Sequence, residues 1–119
     1  MKIAITAQEP SPDSQIDSRF GRAPWLMIFE PTNNSWQSID NSAGLNAAHG
    51  AGIQAAQKVV DQQATAIITG AIGPKAYRSL QAAGIQIFHG AKGSVTQALQ
   101  AFQAGDLAEA NADDATGGI

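Results

Sequence analysis

The chain contains no cysteine. That absence rules out a disulfide framework, a thiolate zinc site, a cysteine nucleophile and ordinary cysteine-ligated iron–sulfur binding. Any metal must then be held by histidine, carboxylate or backbone groups. Charge is also scarce: 14% of the residues are charged against 44% hydrophobic, a balance that fits a single globular domain at 119 residues. No run of 18 apolar residues occurs, and the first residues lack the basic region and apolar stretch of a signal peptide. The expectation is a cytoplasmic protein with no membrane partner. No basic stripe suited to nucleic acid is present either.

The formal net charge of −3 is unevenly distributed. Asp106, Glu109, Asp113 and Asp114 all fall in the last 14 residues, which contain no Lys or Arg; residues 1–105 hold seven basic and six acidic side chains, a net of +1. Residues 108–119 have no large apolar residue before Ile119 and no periodic face, so they are expected to form a flexible acidic tail after a domain at 1–107.

What is present begins with strand patterns. Residues 2–6 alternate, with Ile3 and Ile5 on one face, and residues 25–30 are almost wholly apolar. Pro31-Thr32-Asn33-Asn34 provides turn chemistry before residues 35–40, predicting an antiparallel hairpin whose second strand is a sheet edge. From there the pattern alternates helix and strand, with strands at 64–69 and 85–88, which implies parallel pairing through right-handed crossovers. The three helices should bury Ile53, Ala56 and Val60, then Ala76, Tyr77, Leu80 and Ala83, then Val95, Ala98, Leu99 and Phe102. Pro74 suits a first helical position, Gly84 and Gly105 suit helix ends, and Ser94 suits a cap.

Glycine is concentrated where these helices start. Ala48-His49-Gly50-Ala51-Gly52 is followed by Gly70-Ala71-Ile72-Gly73-Pro74 and by Gly90-Ala91-Lys92-Gly93. Three helix amino ends facing one side of the molecule would form an anion receptor, with Gly70, Gly73, Gly90 and Gly93 in the crevice outside the strand ends. Turn geometry alone is an equal explanation for these glycines. Residues 8–24 are long for a connection in so small a domain and carry Asp17-Ser18-Arg19-Phe20-Gly21-Arg22-Ala23-Pro24. Arg19 and Arg22 place two planar donors around a glycine, where they could meet an oxyanion. The alternative is that Asp17 pairs with one of them while Phe20 plugs the core.

Met1-Lys2-Ile3-Ala4-Ile5, Arg19-Phe20-Gly21-Arg22-Ala23-Pro24, His49-Gly50-Ala51-Gly52, Ile68-Thr69-Gly70-Ala71-Ile72-Gly73-Pro74-Lys75-Ala76 and Ala83-Gly84-Ile85, ahead of a last helix ending Phe102-Gln103-Ala104-Gly105, together resemble the dinitrogenase iron-molybdenum cofactor biosynthesis family. The resemblance runs from about residue 1 to residue 107 and is closest to the small single-domain members. It implies an α/β fold similar to ribonuclease H, with a five-stranded mixed sheet of order 3-2-1-4-5 and about three helices. It also implies a carrier or accessory protein, not an enzyme, for an iron-molybdenum-sulfur or molybdenum-copper-sulfide cluster, with a cluster donor or acceptor protein as partner.

Within that frame His49, at a helix start whose dipole disfavours a protonated ring, is the leading metal-ligand candidate. A histidine bonded to a loop carbonyl is the alternative. His89, just past the last strand, is a second candidate ligand or else a half-exposed strand-end residue. Gly50 and Gly52 complete the first helix start, and Lys92 adds a point charge unless it is simply solvated. No catalytic residues are assigned. The hairpin region offers only Glu30 and Asp40 where two-metal hydrolysis needs several converging carboxylates, no nucleophile elbow surrounds Ser94, and neither the dinucleotide fingerprint nor the phosphate loop is present. A regulatory or interaction module that binds an anionic small molecule or a protein at the glycine-rich rim is the competing function.

Overall fold

The computed structural model describes residues 1–42 and 50–115. Strands β1 (Lys2–Ala7), β2 (Trp25–Glu30), β3 (Ser35–Asp40), β4 (Ala64–Ile68), β5 (Gln86–His89) and β6 (Ala108–Glu109) form one sheet of order β3-β2-β1-β4-β5-β6. β1 runs parallel to β4, and β4 to β5, while the β1–β2, β2–β3 and β5–β6 pairs are antiparallel. The mixed sheet and the hairpin with β3 at its edge are as the patterning predicts. The sixth strand is an addition.

Alternation along the strands divides the interior into two layers. Ala4, Leu26, Ile28, Ile67 and Ile87 face one core, completed by helices α1 (Ala51–Asp61) and α2 (Pro74–Ala82). Ile3, Ile5, Met27, Phe29, Ala66 and Ile68 face the other, closed by α3 (Val95–Gln103). α2 opens on Pro74 after Gly73, and α3 opens on Ser94, whose hydroxyl accepts from the Gln97 amide while Gln97 returns a bond to the Ser94 amide. That reciprocal box satisfies two amides that helix geometry leaves without partners.

Three expectations are corrected. α1 buries Ala51, Ala55, Ala56 and Val59, leaving Ile53 46% and Val60 36% exposed. At its start α1 meets the turn at 20–22 backbone to backbone, where a Cβ built on Gly21 would stand 2.8 Å from the Gly52 nitrogen. Ala83 lies beyond the end of α2 and is exposed, because Gly84 turns the chain there with φ 77°. Finally, the acidic segment is attached to the body through residue 115. The Ala110 amide donates to the Ile87 carbonyl at 2.7 Å, Ala110 and Ala115 are buried against the α1/α2 core, and Asn111 and Asp114 cap each other's turn at 112–114. Small apolar side chains suffice at these anchors, which is why composition did not reveal them.

Candidate functional site

The parallel strands all end on one side of the sheet, and residues 8–24 are laid across those ends. The segment is bound there by main-chain hydrogen bonds. Ile16 N–H donates to the Gly93 carbonyl (2.9 Å), Asp17 N–H to Thr6 (3.0 Å), Ala71 N–H to Ser18 (2.7 Å) and Phe20 N–H to Ala71 (3.1 Å), while Val95 N–H donates to Ser14 (2.8 Å). Arg19 thereby pairs with Ala71 as an isolated parallel bridge. The long irregular segment is a fixed cover over the strand ends.

Within this extended stretch, neighbouring side chains point opposite ways. Phe20 is fully buried in the α1/α2 core, as one reading of the sequence anticipated, and Arg19 is therefore turned outward with 57% of its side chain exposed. Asp17, only 6% exposed, accepts the Arg19 amide at 2.9 Å, and its Oδ1 lies 3.8 Å from Arg19 Nε. Asp17 does pair with Arg19. The pairing leaves most of the Arg19 side chain presented to solvent.

The other predicted residues take varied places. Arg22 closes the short turn Phe20–Arg22 and is half-buried. Gly50 is the residue before α1, in the left-handed conformation with φ 78° and no side-chain capping bond. Gly52 meets Gly21 backbone to backbone, and Gly70 is closed over by Ser18, whose Cα and carbonyl oxygen would lie 2.7 Å from a Cβ at position 70. Gly73 precedes α2 in extended conformation. Gly90 has φ 72° and its amide is committed to the Gly70 carbonyl at 2.9 Å; Gly93 has φ 86°, and its carbonyl is the acceptor for Ile16. Lys92 is exposed. For Gly70 and Gly90 the geometry thus assigns backbone work, while Gly50 and Gly73 stand at helix starts.

His49 lies outside the described residues. His89 is half-buried at the end of β5, with Nε2 3.8 Å from Asp114 Oδ2. Among the described residues no three His, Asp or Glu side chains converge as a metal-holding group. Thr6 and Thr69 were missed by the sequence reading. Both are fully buried at the ends of β1 and β4, with their hydroxyl oxygens 3.0 Å apart. The available signal was a threonine directly after an apolar pair or run near the end of each of two strands, Thr6 after Ala4-Ile5 and Thr69 after Ala66-Ile67-Ile68.

A cavity of about 220 Å³ lies at the other end of the sheet, lined by Lys2, Ile28, Glu30, Asn33, Ser35 and Gln37. Beside it, Glu30 sits 3.7 Å from the amino terminus. Burial alone would raise the Glu30 carboxyl, but the Thr32 amide, the terminal ammonium and Lys2 together hold it below its ordinary 4.5. Ser42 holds Asp40 below its ordinary 3.8. No helix among the described residues is long and apolar enough to cross a membrane.

A mixed α/β sheet with glycine turns, helix starts and an outward arginine at its strand ends places the chain among small open-sheet α/β domains. The dinitrogenase iron-molybdenum cofactor family model matches residues 1–105, and the chain belongs to that family. It is similar to the apo form of the orange protein from Desulfovibrio gigas, at 40% identity and TM-score 0.89 over 92% of both chains. It is also similar to a NifB-like protein from Thermotoga, at 28% identity and TM-score 0.80 over 91% of both. An uncharacterized protein of Methanocaldococcus jannaschii is 32% identical over 110 residues, covering 90% of this chain and 89% of the relative. A metallocluster-related role follows from the family. These relatives share the whole body that carries the rim.

Proposed function

We propose that this protein carries an anionic molybdenum-containing metal–sulfide cluster, iron-molybdenum-sulfur or molybdenum-copper-sulfide, as cargo at the strand-end rim and passes it to a cofactor-assembly partner. The observation that carries the reading is the station of Arg19. Backbone bonds on both sides fix its position, Phe20 anchors it from below, and its guanidinium is left facing outward. A planar guanidinium offers several donors to the sulfur or oxygen periphery of an anion.

Arg22 and Lys92 would add positive charge, and the start of α1 beside Gly50 would add the positive end of a helix dipole. His49 is the proposed direct metal ligand, with His89 as a second. With no cysteine in the chain, the protein contributes donors, charge and imidazole in place of thiolates, and such holding suits a carrier that must release what it binds. The role is that of an accessory protein in the cytoplasm, not a catalyst.

The test is anaerobic incubation with tetrathiomolybdate and Cu(I), and separately with an iron-molybdenum-sulfide precursor, followed by desalting, metal analysis and a visible spectrum. Wild type should retain molybdenum and a charge-transfer band. Arg19→Gln should weaken retention about tenfold, the scale of one charge-assisted hydrogen bond, and His49→Ala should alter the band. Retention no better than that of an unrelated control protein would overturn cluster carriage. Tight uptake of a colourless phosphate compound instead would favour the anion-binding regulatory module.

A further inference from the structure

Asp17 is a carboxylate placed where a carboxylate is costly. It is 6% exposed, and a buried charge must be matched by hydrogen bonds or an opposite charge. Its Oδ1 meets both needs through one residue, accepting the Arg19 amide at 2.9 Å and facing Arg19 Nε at 3.8 Å. The main chain of Asp17 is held from the other direction. Its amide donates to the Thr6 carbonyl (3.0 Å), and the Thr6 hydroxyl donates to the Asp17 carbonyl (2.7 Å).

Thr6 has a single hydroxyl proton, already committed to Asp17, so in the 3.0 Å contact between the two threonines Thr69 is the donor. Ile5 pairs with Ile68 in the parallel register, which brings Thr6 and Thr69 together as the next pair along. A chain of contacts thus runs from the ends of β1 and β4, through buried Thr69, Thr6 and Asp17, to an arginine that is mostly in solvent.

An unrestrained arginine loses side-chain freedom when a ligand orders it. Restraint before binding removes part of that loss. We propose that Asp17 is a positioning residue that presets Arg19 for the anionic cargo, with the Thr6–Thr69 hydroxyl pair fixing Asp17 to the strand ends. This rests on the cargo reading above and assigns the rim a division of labour: Arg19 touches the anion, and Asp17 acts through Arg19.

The experiment has two readouts. The first is a double-mutant cycle, measured as binding of tetrathiomolybdate with Cu(I) to wild type, Arg19→Gln, Asp17→Asn and the pair. Asn at position 17 keeps an oxygen for the Arg19 amide and removes the charge that faces the guanidinium. Asp17→Asn should weaken binding about threefold, Arg19→Gln about tenfold, and the double variant no more than Arg19→Gln alone. Losses that multiply would overturn the proposal.

The second readout is the nuclear relaxation of the Arg19 Nε–H group in the cargo-free protein, which decides the positioning claim whether or not the cluster binds. It should be ordered in wild type and mobile in Asp17→Asn. Equal mobility in both overturns the proposal even if cargo binds, and failure of wild type to bind cargo overturns the cargo reading alone. Thr69→Val serves where Asp17→Asn does not fold: it should leave residue 17 unchanged and loosen Arg19 by a smaller amount. An Arg19 unchanged by that substitution would contradict the threonine link.

Discussion

The two ends of the sheet are built from different materials. At the strand-end rim, backbone meets backbone: Gly21 lies on Gly52, Ser18 on Gly70, and main-chain bonds tie residues 16–20 to the turns at 69–71 and 90–93. At the hairpin end, side chains line a cavity of about 220 Å³ in which Glu30 faces the amino terminus at 3.7 Å. At the rim, a backbone-fixed segment leaves an arginine facing outward.

The comparison predicts unequal responses to mutation. Phe20→Ala removes the fully buried ring that anchors the rim segment and should cost about 3–5 kcal/mol in urea unfolding, with rim binding lost in parallel. Gly70→Ala should cost about 1–3 kcal/mol, because the new methyl would meet the Ser18 Cα and carbonyl oxygen at 2.7 Å, and main chain cannot swing aside. If Gly70→Ala unfolds no more readily than wild type, the rim is softer than described.

Substitution at the other end should act mainly through pH. At that end the folded-state carboxyl of Glu30 lies below its ordinary 4.5, and at the rim end of β3 that of Asp40 lies below its ordinary 3.8, so both bind protons more readily when unfolded. Their stabilisation is present above those ordinary values and is lost as pH falls through the depressed ones. Glu30→Gln should therefore flatten the acid limb of a melting-temperature profile slightly while leaving cargo retention at neutral pH unchanged. A loss of cargo on Glu30→Gln would move the site to the cavity.

How far sequence reasoning reached follows the same division. Side-chain patterns were legible: the hairpin from its alternation and Pro31-Thr32-Asn33-Asn34 turn, and the three helix starts from Gly50, Gly73-Pro74 and Ser94. Backbone contacts between distant residues were not, because Gly70 against Ser18 and Gly21 against Gly52 leave no periodicity to read. The misjudged face of α1 goes with that contact: hydrophobicity favours Ile53 and Val60 inside, while the face that is buried carries Ala51, Ala55, Ala56 and Val59. β6 escaped notice because two residues, Ala108 and Glu109, carry little strand propensity and are held by their neighbours Ala110 and Ala115. At the site, Arg19 was legible as a candidate, but its setting required the structure to bring Asp17, Thr6 and Thr69 together.

The most direct test of the central claim is a backbone amide shift map, recorded anaerobically while tetrathiomolybdate and Cu(I) are added to isotopically labelled protein. The account predicts saturable shifts concentrated at residues 17–22, 50–52, 69–73 and 89–93, with residues 28–37 unmoved. Shifts centred on Lys2, Glu30 and Ser35, or none that saturate, would contradict it.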